Sequence, residues 1–224
     1  MSPCPCVPVS PQARCSGPAA PQDLAVPNGS WSAAMREHYE RLLRRTADGS
    51  WCRVPSYRRG LDHFPAAGQR TGTRLFLRSA DTEGAGFEYV TFLHGAGDRA
   101  LCLCQLGPYL EGHPGFVHGG AIATIVDTTL GTCALKAAGS VMTAKLSIDF
   151  LAPVPLGSVV LVDGRVERRD GRKLFLSCRV HGAAGDTLHA EATGEDGGHR
   201  GGGGGTGTPT PPSPNPPSPG PHLR

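Results

Sequence analysis

AIATIVDTTLGTCALKAAG, residues Ala121 to Gly139, is the stretch on which the architecture turns. Its apolar residues, among them Ala121, Ile122, Ala123, Ile125, Val126, Leu130, Cys133, Ala134 and Leu135, fall on nearly every side of a helix. A helix that is apolar all round is a buried one. Its Thr and Ile content would also suit a strand, but nineteen residues is too long for a single strand. The sequence is therefore read as one buried helix, with the rest of the chain arranged around it.

Strand signals lie on both sides of this helix. SVMTAKLSIDFL (Ser140 to Leu151) alternates, with Met142, Ala144, Leu146, Ile148 and Phe150 on one face and Thr143, Lys145, Ser147 and Asp149 on the other. SVVLVDGRVERR (Ser158 to Arg169) and RKLFLSCRVHG are joined by Asp170-Gly171, which reads as a two-residue type I′ turn. TLHAEAT opens a last strand at Thr187. Before the helix, GPYLEGHPGFVHGG is too rich in breakers to be regular. Upstream of it, FEYVTFLH (Phe87 to His94) and ALCLCQLG (Ala100 to Gly107) predict a hairpin across GAGD, and RLFLRS (Arg74 to Ser79) predicts a further strand. Strands, one long helix and then antiparallel hairpins describe an α+β domain whose antiparallel sheet wraps around a single central helix.

The chain's 32 glycines and 21 prolines crowd into its ends. Residues 1–27 read as disordered. A helix then begins at Ser30 or Ser32, with Trp31, Met35, Tyr39, Leu42 and Leu43 at helical spacing. Arg41, Arg44 and Arg45 suit its C-terminal dipole, and Gly49 stops it. With the polar connector from Trp51 to Gly72, it makes a unit over 28–70 that docks outside the main domain. The domain itself spans 71–193, and 194–224 is a Gly/Pro-rich tail without core-forming residues, expected to be disordered.

A net charge of +3, with arginines in pairs and no basic run, argues against nucleic-acid binding. No stretch reads as a transmembrane segment. The eight cysteines form no CxxC or His-bearing pattern, which predicts reduced thiols and no structural metal. The first 22 residues lack acids, yet they are neither Arg-rich nor strongly apolar, so no targeting segment is recognisable.

Asp127 is the only acid between Glu111 and Asp149, and it lies in the most apolar helix of the chain. Such a carboxylate needs partners or a solvated groove, or it holds its proton more tightly. A tightly held proton would suit it to activate water or attack a carbonyl. His118-Gly119-Gly120 stands at the helix start, where free N–H groups and the positive dipole end would receive an oxyanion. The same residues would equally serve as a tight turn capped by His118. Thr143 offers a hydroxyl that orients water, or is an ordinary strand threonine. Arg172 and Lys173 would grip phosphates, or are two solvated charges.

NGSWSAAMREHYERLL, DGSWCRVPSYRR, GFEYV, GPYLEGHPGFVHGGAIATIVDTTLG, VMTAKLSIDF and GRKLFLSC together closely resemble the vertebrate acyl-coenzyme A thioesterases of the thioesterase superfamily member four and five type. The likeness runs from about Asp23 to Thr193. It implies a hotdog fold, a homodimer with active sites at the subunit interface, and cofactor-free hydrolysis of medium- and long-chain fatty acyl-CoA. It assigns the catalytic carboxylate to Asp127 and the placing of the thioester carbonyl to His118 and Gly119, with Gly120 beside them. It implies that Thr143 reaches in from the partner subunit and that Arg172 and Lys173 hold coenzyme A. Asp149 matches a nucleotide-contacting position that is Asn in the family, and Leu151 one that is Lys, substitutions expected to weaken phosphate binding. The family is linked to mitochondria, cytosol and membrane surfaces, so a mitochondrial or cytoplasmic address and membrane-surface or signalling-protein partners are expected. The family's last strand runs on in apolar residues where this chain has GEDGGHRGGGGG, so half of an interior strand is expected to be lost. Two other readings stand beside hydrolysis. One is a hotdog dehydratase that uses His118. The other is a catalytically impaired acyl-CoA-binding or protein-docking module.

Overall fold

The structure, a computed structural model, describes residues 23–56, 77–78, 82–139, 141–185 and 187–198. Its elements in chain order are α1 (Ala33–Arg44), β1 (Trp51–Val54), β2 (Phe87–His94), β3 (Arg99–Leu106), α2 (Gly119–Ala138), β4 (Val141–Phe150), β5 (Val159–Asp170), β6 (Lys173–Gly182) and β7 (Leu188–Gly198). The strands form one antiparallel sheet in the order β1-β2-β3-β5-β6-β7-β4. The long helix α2 lies in its concave face, as the α+β hotdog reading expects.

The alternation of β2 and β3 produces two cores. Phe87, Ala100, Cys102, Cys104 and Leu106 turn inward to a cluster shared with Ile122, Ile125, Val126 and Leu130 of α2. The intervening Val90, Phe92, Leu101 and Leu103 turn outward, where α1 covers them with Trp31, Met35, Tyr39 and Leu42. The outward layer corrects the expectation that α1 lies outside the domain. Glu88, itself buried, accepts hydrogen bonds from Trp31 Nε1 (3.0 Å) and Asn28 Nδ2 (3.1 Å). Its cross-strand partner Gln105 accepts from the Ser32 N–H and donates to the Ser30 carbonyl. The helix is therefore bolted to the sheet by polar groups as well as apolar ones. Ser32 is its N-cap, accepting from the Met35 N–H at 3.2 Å, and it ends at Arg44, before Gly49.

Three further expectations are revised, and a fourth lies mostly outside the described residues. Residues 23–27 are placed: Asp23 pairs with Arg53 at 2.7 Å and Ala25 is buried. The stretch read as a polar connector opens with β1, whose Trp51 is buried because β2 pairs along it. Of the strand expected at RLFLRS, only Leu77 and Arg78 lie among the described residues, and they form a turn and a bend. At the β5–β6 hairpin Asp170 pairs with Lys173, so the loop residues are Gly171 and Arg172. Gly171 has φ 55° and among the described residues no non-glycine residue has positive φ, the pattern of a type II′ turn and not a type I′ turn.

The largest revision concerns the last strand. β7 does not stop at Thr193 but continues through Gly198, with β6 on one side and β4 on the other. A strand in the middle of a ladder is held by backbone hydrogen bonds on both edges, so it tolerates the loss of apolar side chains. Gly194 even fits the helix: a Cβ there would sit 3.2 Å from Leu130 Cδ1.

α2 buries Ile122, Ile125, Val126, Thr129, Leu130, Cys133 and Ala134 against the sheet, while Ala123, Thr124, Asp127, Thr128, Gly131 and Leu135 remain half-exposed. One side of this apolar helix is thus left open. By length and apolar content its 20 residues would suffice to cross a membrane, contrary to the expectation that no stretch does. Here that apolar content fills the concave face of the sheet.

Candidate active site

Asp127 projects from the half-exposed side of α2, and the Thr143 hydroxyl donates a hydrogen bond to its Oδ1 at 2.9 Å. Strict alternation would place Thr143 with Lys145, Ser147 and Asp149, on the face away from the helix. A β-bulge prevents this. Thr143 pairs with Asp196 and Lys145 with Glu195, so Ala144 is the extra residue. The irregularity lets Thr143 share the helix side with Leu146 and Ile148, both packed on the inner core. Bulges beside active sites re-aim side chains in this way. The contact is made within one chain, whereas the resemblance implies a Thr143 that reaches in from the partner subunit.

At the start of the same helix, His118 is the N-cap of α2, and its Nδ1 accepts from the Gly120 N–H at 2.8 Å. That bond commits Gly120, one of the two amides expected at an oxyanion site. The Ala121 and Ile122 N–H groups both bind the His118 carbonyl. Gly119 lines an open cleft of about 880 Å³ together with Glu111, His113, Phe116, His118 and others. The Phe150 ring covers Gly119, 3.4 Å from where a Cβ would stand. Asp127 lies eight residues beyond Gly119, about 12 Å along the helix axis, and it does not line the cleft.

The remaining predicted residues lie elsewhere. Arg172 and Lys173 are exposed at the β5–β6 turn, and Lys173 pairs with Gly197, which in turn pairs with Met142 at the start of β4. Phe150, beside Gly119, is at the far end of β4. Within one chain the two basic residues therefore stand at the opposite end of the sheet from the helix N-terminus. Asp149 faces away from α2, into a polar depression shared with Arg179, Glu191 and Asp163. The structure does not bring it to Asp127.

One residue of this neighbourhood escaped the sequence reading. Asp196 lies on β7 directly opposite Thr143, is only 3% exposed, and its Oδ2 has no hydrogen-bond partner. Burial pushes its carboxyl above the usual range, and the nearby negative charge of Asp127 adds to that. Carrying the period-two pattern of Ala190 and Ala192 through Gly194 would have put it on the inner face; reading the segment as a disordered tail hid it.

The thiols behave as small apolar groups. Cys102, Cys104, Cys133 and Cys178 are buried and free. Burial pushes Cys102 up to about 11 and Cys133 up to about 12. Among the described residues, no group of three or more His, Cys, Asp or Glu side chains is placed to hold a metal ion.

An antiparallel sheet curled around one long helix, with a lone carboxylate on that helix and a glycine at its N-terminus, defines the hotdog thioesterase class. Residues 114–189 match the family model described as thioesterase superfamily. The chain is 45% identical over 177 residues to the acyl-coenzyme A thioesterase THEM4 of Xenopus laevis, covering 78% of this chain and 79% of that protein. It is 34% identical over 182 residues to human acyl-coenzyme A thioesterase THEM5, covering 77% and 74%. Among solved structures it is similar to the E. coli PaaI protein (TM-score 0.47, 15% identity, 55% of this chain and 86% of that one). The zebrafish thioesterase superfamily member 2 gives TM-score 0.44 and 18% identity, over 50% and 80%. The chain belongs to the acyl-coenzyme A thioesterase family that includes THEM4 and THEM5.

Proposed function

We propose that this chain hydrolyses medium- and long-chain fatty acyl-CoA to fatty acid and coenzyme A, with Asp127 as the catalytic carboxylate. The observation that carries the reading is the Thr143–Asp127 hydrogen bond on the open side of an otherwise apolar helix. A carboxylate held in one orientation beside an apolar surface is suited to act next to an acyl chain. As general base, Asp127 takes a proton from water as the oxygen attacks the thioester carbonyl. The oxyanion forms against the Gly119 N–H, then collapses and expels the coenzyme A thiolate, which takes up a proton. As nucleophile, Asp127 would attack the carbonyl itself, release the thiolate and leave a mixed anhydride for water to open. Either way the negative charge leaves Asp127 as the thioester carbonyl is attacked.

The spacing along α2 bears on assembly. An oxyanion held at Gly119 is about 12 Å from Asp127 of the same chain, too far for attack. The reading therefore pairs Gly119 of one subunit with Asp127 of another. β4 is the edge strand of the sheet, and Met142, Phe150 and Leu151 on or next to it are 68%, 54% and 55% exposed. An unpaired edge with exposed apolar groups suits a symmetric homodimer in which β4 meets its copy. In that arrangement Arg172 and Lys173 would approach the partner's helix N-terminus and hold coenzyme A phosphates.

The test is thiol release from palmitoyl-CoA by Asp127→Asn. Loss of about two to four orders of magnitude is expected for removal of a general base or nucleophile, with the fold and dimer unchanged. Unaltered turnover would refute the assignment. The alternative of an impaired binding module drew on a truncated last strand; the pairing of β7 through Gly198 takes that ground away.

A further inference from the structure

Asp127 is not the only carboxyl group on the inner side of the sheet. Ala192 belongs to the inner core and a Cβ on Gly194 would touch Leu130 of α2, so the next residue in phase, Asp196, also faces the helix. From β4 it meets Thr143, its direct cross-strand partner and the residue whose hydroxyl binds Asp127. From β6 it meets Leu174. From α2 it faces two titratable groups, Asp127 and the Cys133 thiol, which stays neutral at ordinary pH. Lys145 is exposed and stands opposite Glu195 in the strand register beyond the bulge, and Lys173 is exposed and stands opposite Gly197. Among the described residues no cation neutralises Asp196 and no donor satisfies its Oδ2. A buried, unpartnered carboxyl group is costly in a fold and has no evident structural use here.

We propose that Asp196 is a positioning residue for Asp127: ionisation of this second, buried carboxyl group favours the step in which Asp127 gives up its negative charge. The inference rests on the thioesterase reading above. While Asp196 is protonated, Asp127 is the only anion behind Thr143. Once Asp196 loses its proton, two like charges stand on either side of the Thr143 side chain, Asp196 buried and Asp127 half-exposed. Their repulsion is relieved when Asp127 takes a proton from water, or shares its electron pair with the acyl carbon, because charge then moves to the oxyanion. The ground state is raised more than the transition state, and turnover speeds up. Ionisation of Asp196 then appears as an inflection of its own in the pH profile of turnover.

Two measurements test this. In kcat/KM for palmitoyl-CoA against pH, the native protein is expected to rise in two steps and Asp196→Asn in one. Asp196→Asn should turn over about three- to tenfold more slowly on the upper plateau and equally at the acid end. A uniform loss at every pH, or an unchanged two-step profile, overturns the proposal, since a purely structural role would scale the whole curve. Independently of activity, the carboxyl ¹³C resonance of Asp196 should titrate at a lower pH in Asp127→Asn than in the native chain; equal midpoints overturn the pairing. If the native chain released no thiol while the resonance still shifted, the thioesterase reading would fall and the coupled pair would remain.

Discussion

The outer layer makes the most quantitative prediction. Met35 is 0% exposed and lies between α1 and a sheet face carrying Val90 (0%), Phe92 (1%) and Leu103 (0%). Met35→Ala removes three methylene-sized groups, worth about 2.4 kcal/mol at about 0.8 kcal/mol each. The neighbouring side chains stand on paired strands and cannot collapse into the gap. If about 50 Å³ stays empty, the cavity adds about 1.2 kcal/mol at about 24 cal/mol per Å³. A loss of about 3.6 kcal/mol is therefore expected. Leu43→Ala, 39% exposed at the margin of the same helix, should cost about 0.5 kcal/mol or less. Urea unfolding checks both, read by tryptophan fluorescence and by far-ultraviolet circular dichroism. Trp31 and Trp51 both sit in this outer cluster, so the fluorescence reports on the packing of α1 against the sheet while the dichroism reports on the secondary structure as a whole. A Met35→Ala cost below about 1 kcal/mol, or a fluorescence transition well ahead of the dichroism one, would refute the claim that α1 and the sheet fold as one body.

Further outcomes are expected. Asp196 holds its proton more tightly when folded, so its cost to stability is absent at low pH, grows as pH rises above the unfolded value of 3.8, and levels off above the folded one. Asp196→Asn should therefore gain stability relative to the native chain between denaturation curves at acid and neutral pH; a constant gap would contradict the shift. Asp163 behaves oppositely. Burial raises its carboxyl, but hydrogen bonds from Arg99 and Arg165 outweigh that and hold it below the usual range. Its contribution is present above 3.8 and lost as pH falls through the folded value, so Asp163→Asn should narrow the stability difference between neutral and acid pH. Native-state alkylation followed by mass spectrometry should label Cys52 and spare Cys102, Cys104, Cys133 and Cys178, because only Cys52 of these five is exposed; modification of the buried four without unfolding would overturn their placement. Gly107→Ala should fail to accumulate as folded protein, since its Cβ would stand 2.0 Å from the Gly84 carbonyl oxygen, a backbone atom without room to yield.

The central helix, the hairpin strands around it and the suspicion attached to Asp127 were all legible in the sequence. Each is written locally: apolar residues on all sides of a long segment, period-two alternation between turn residues, one acid in a greasy run. Tertiary structure decided what no local pattern encodes. Whether a glycine-rich stretch such as Gly194 to Gly198 is tail or strand depends on backbone edges offered by β4 and β6, which no side chain in the stretch announces. Which face Thr143 takes depends on a one-residue bulge, and a shift of one residue reverses every side chain after it. The outer helix belongs to the domain because Glu88 and Gln105 meet it from strands more than fifty residues away in sequence. The nearness of Asp196 to Asp127 exists only once β7 is laid beneath α2. Periodicity depends on neighbours in the chain, whereas burial, register and the coupling of charges depend on neighbours in space.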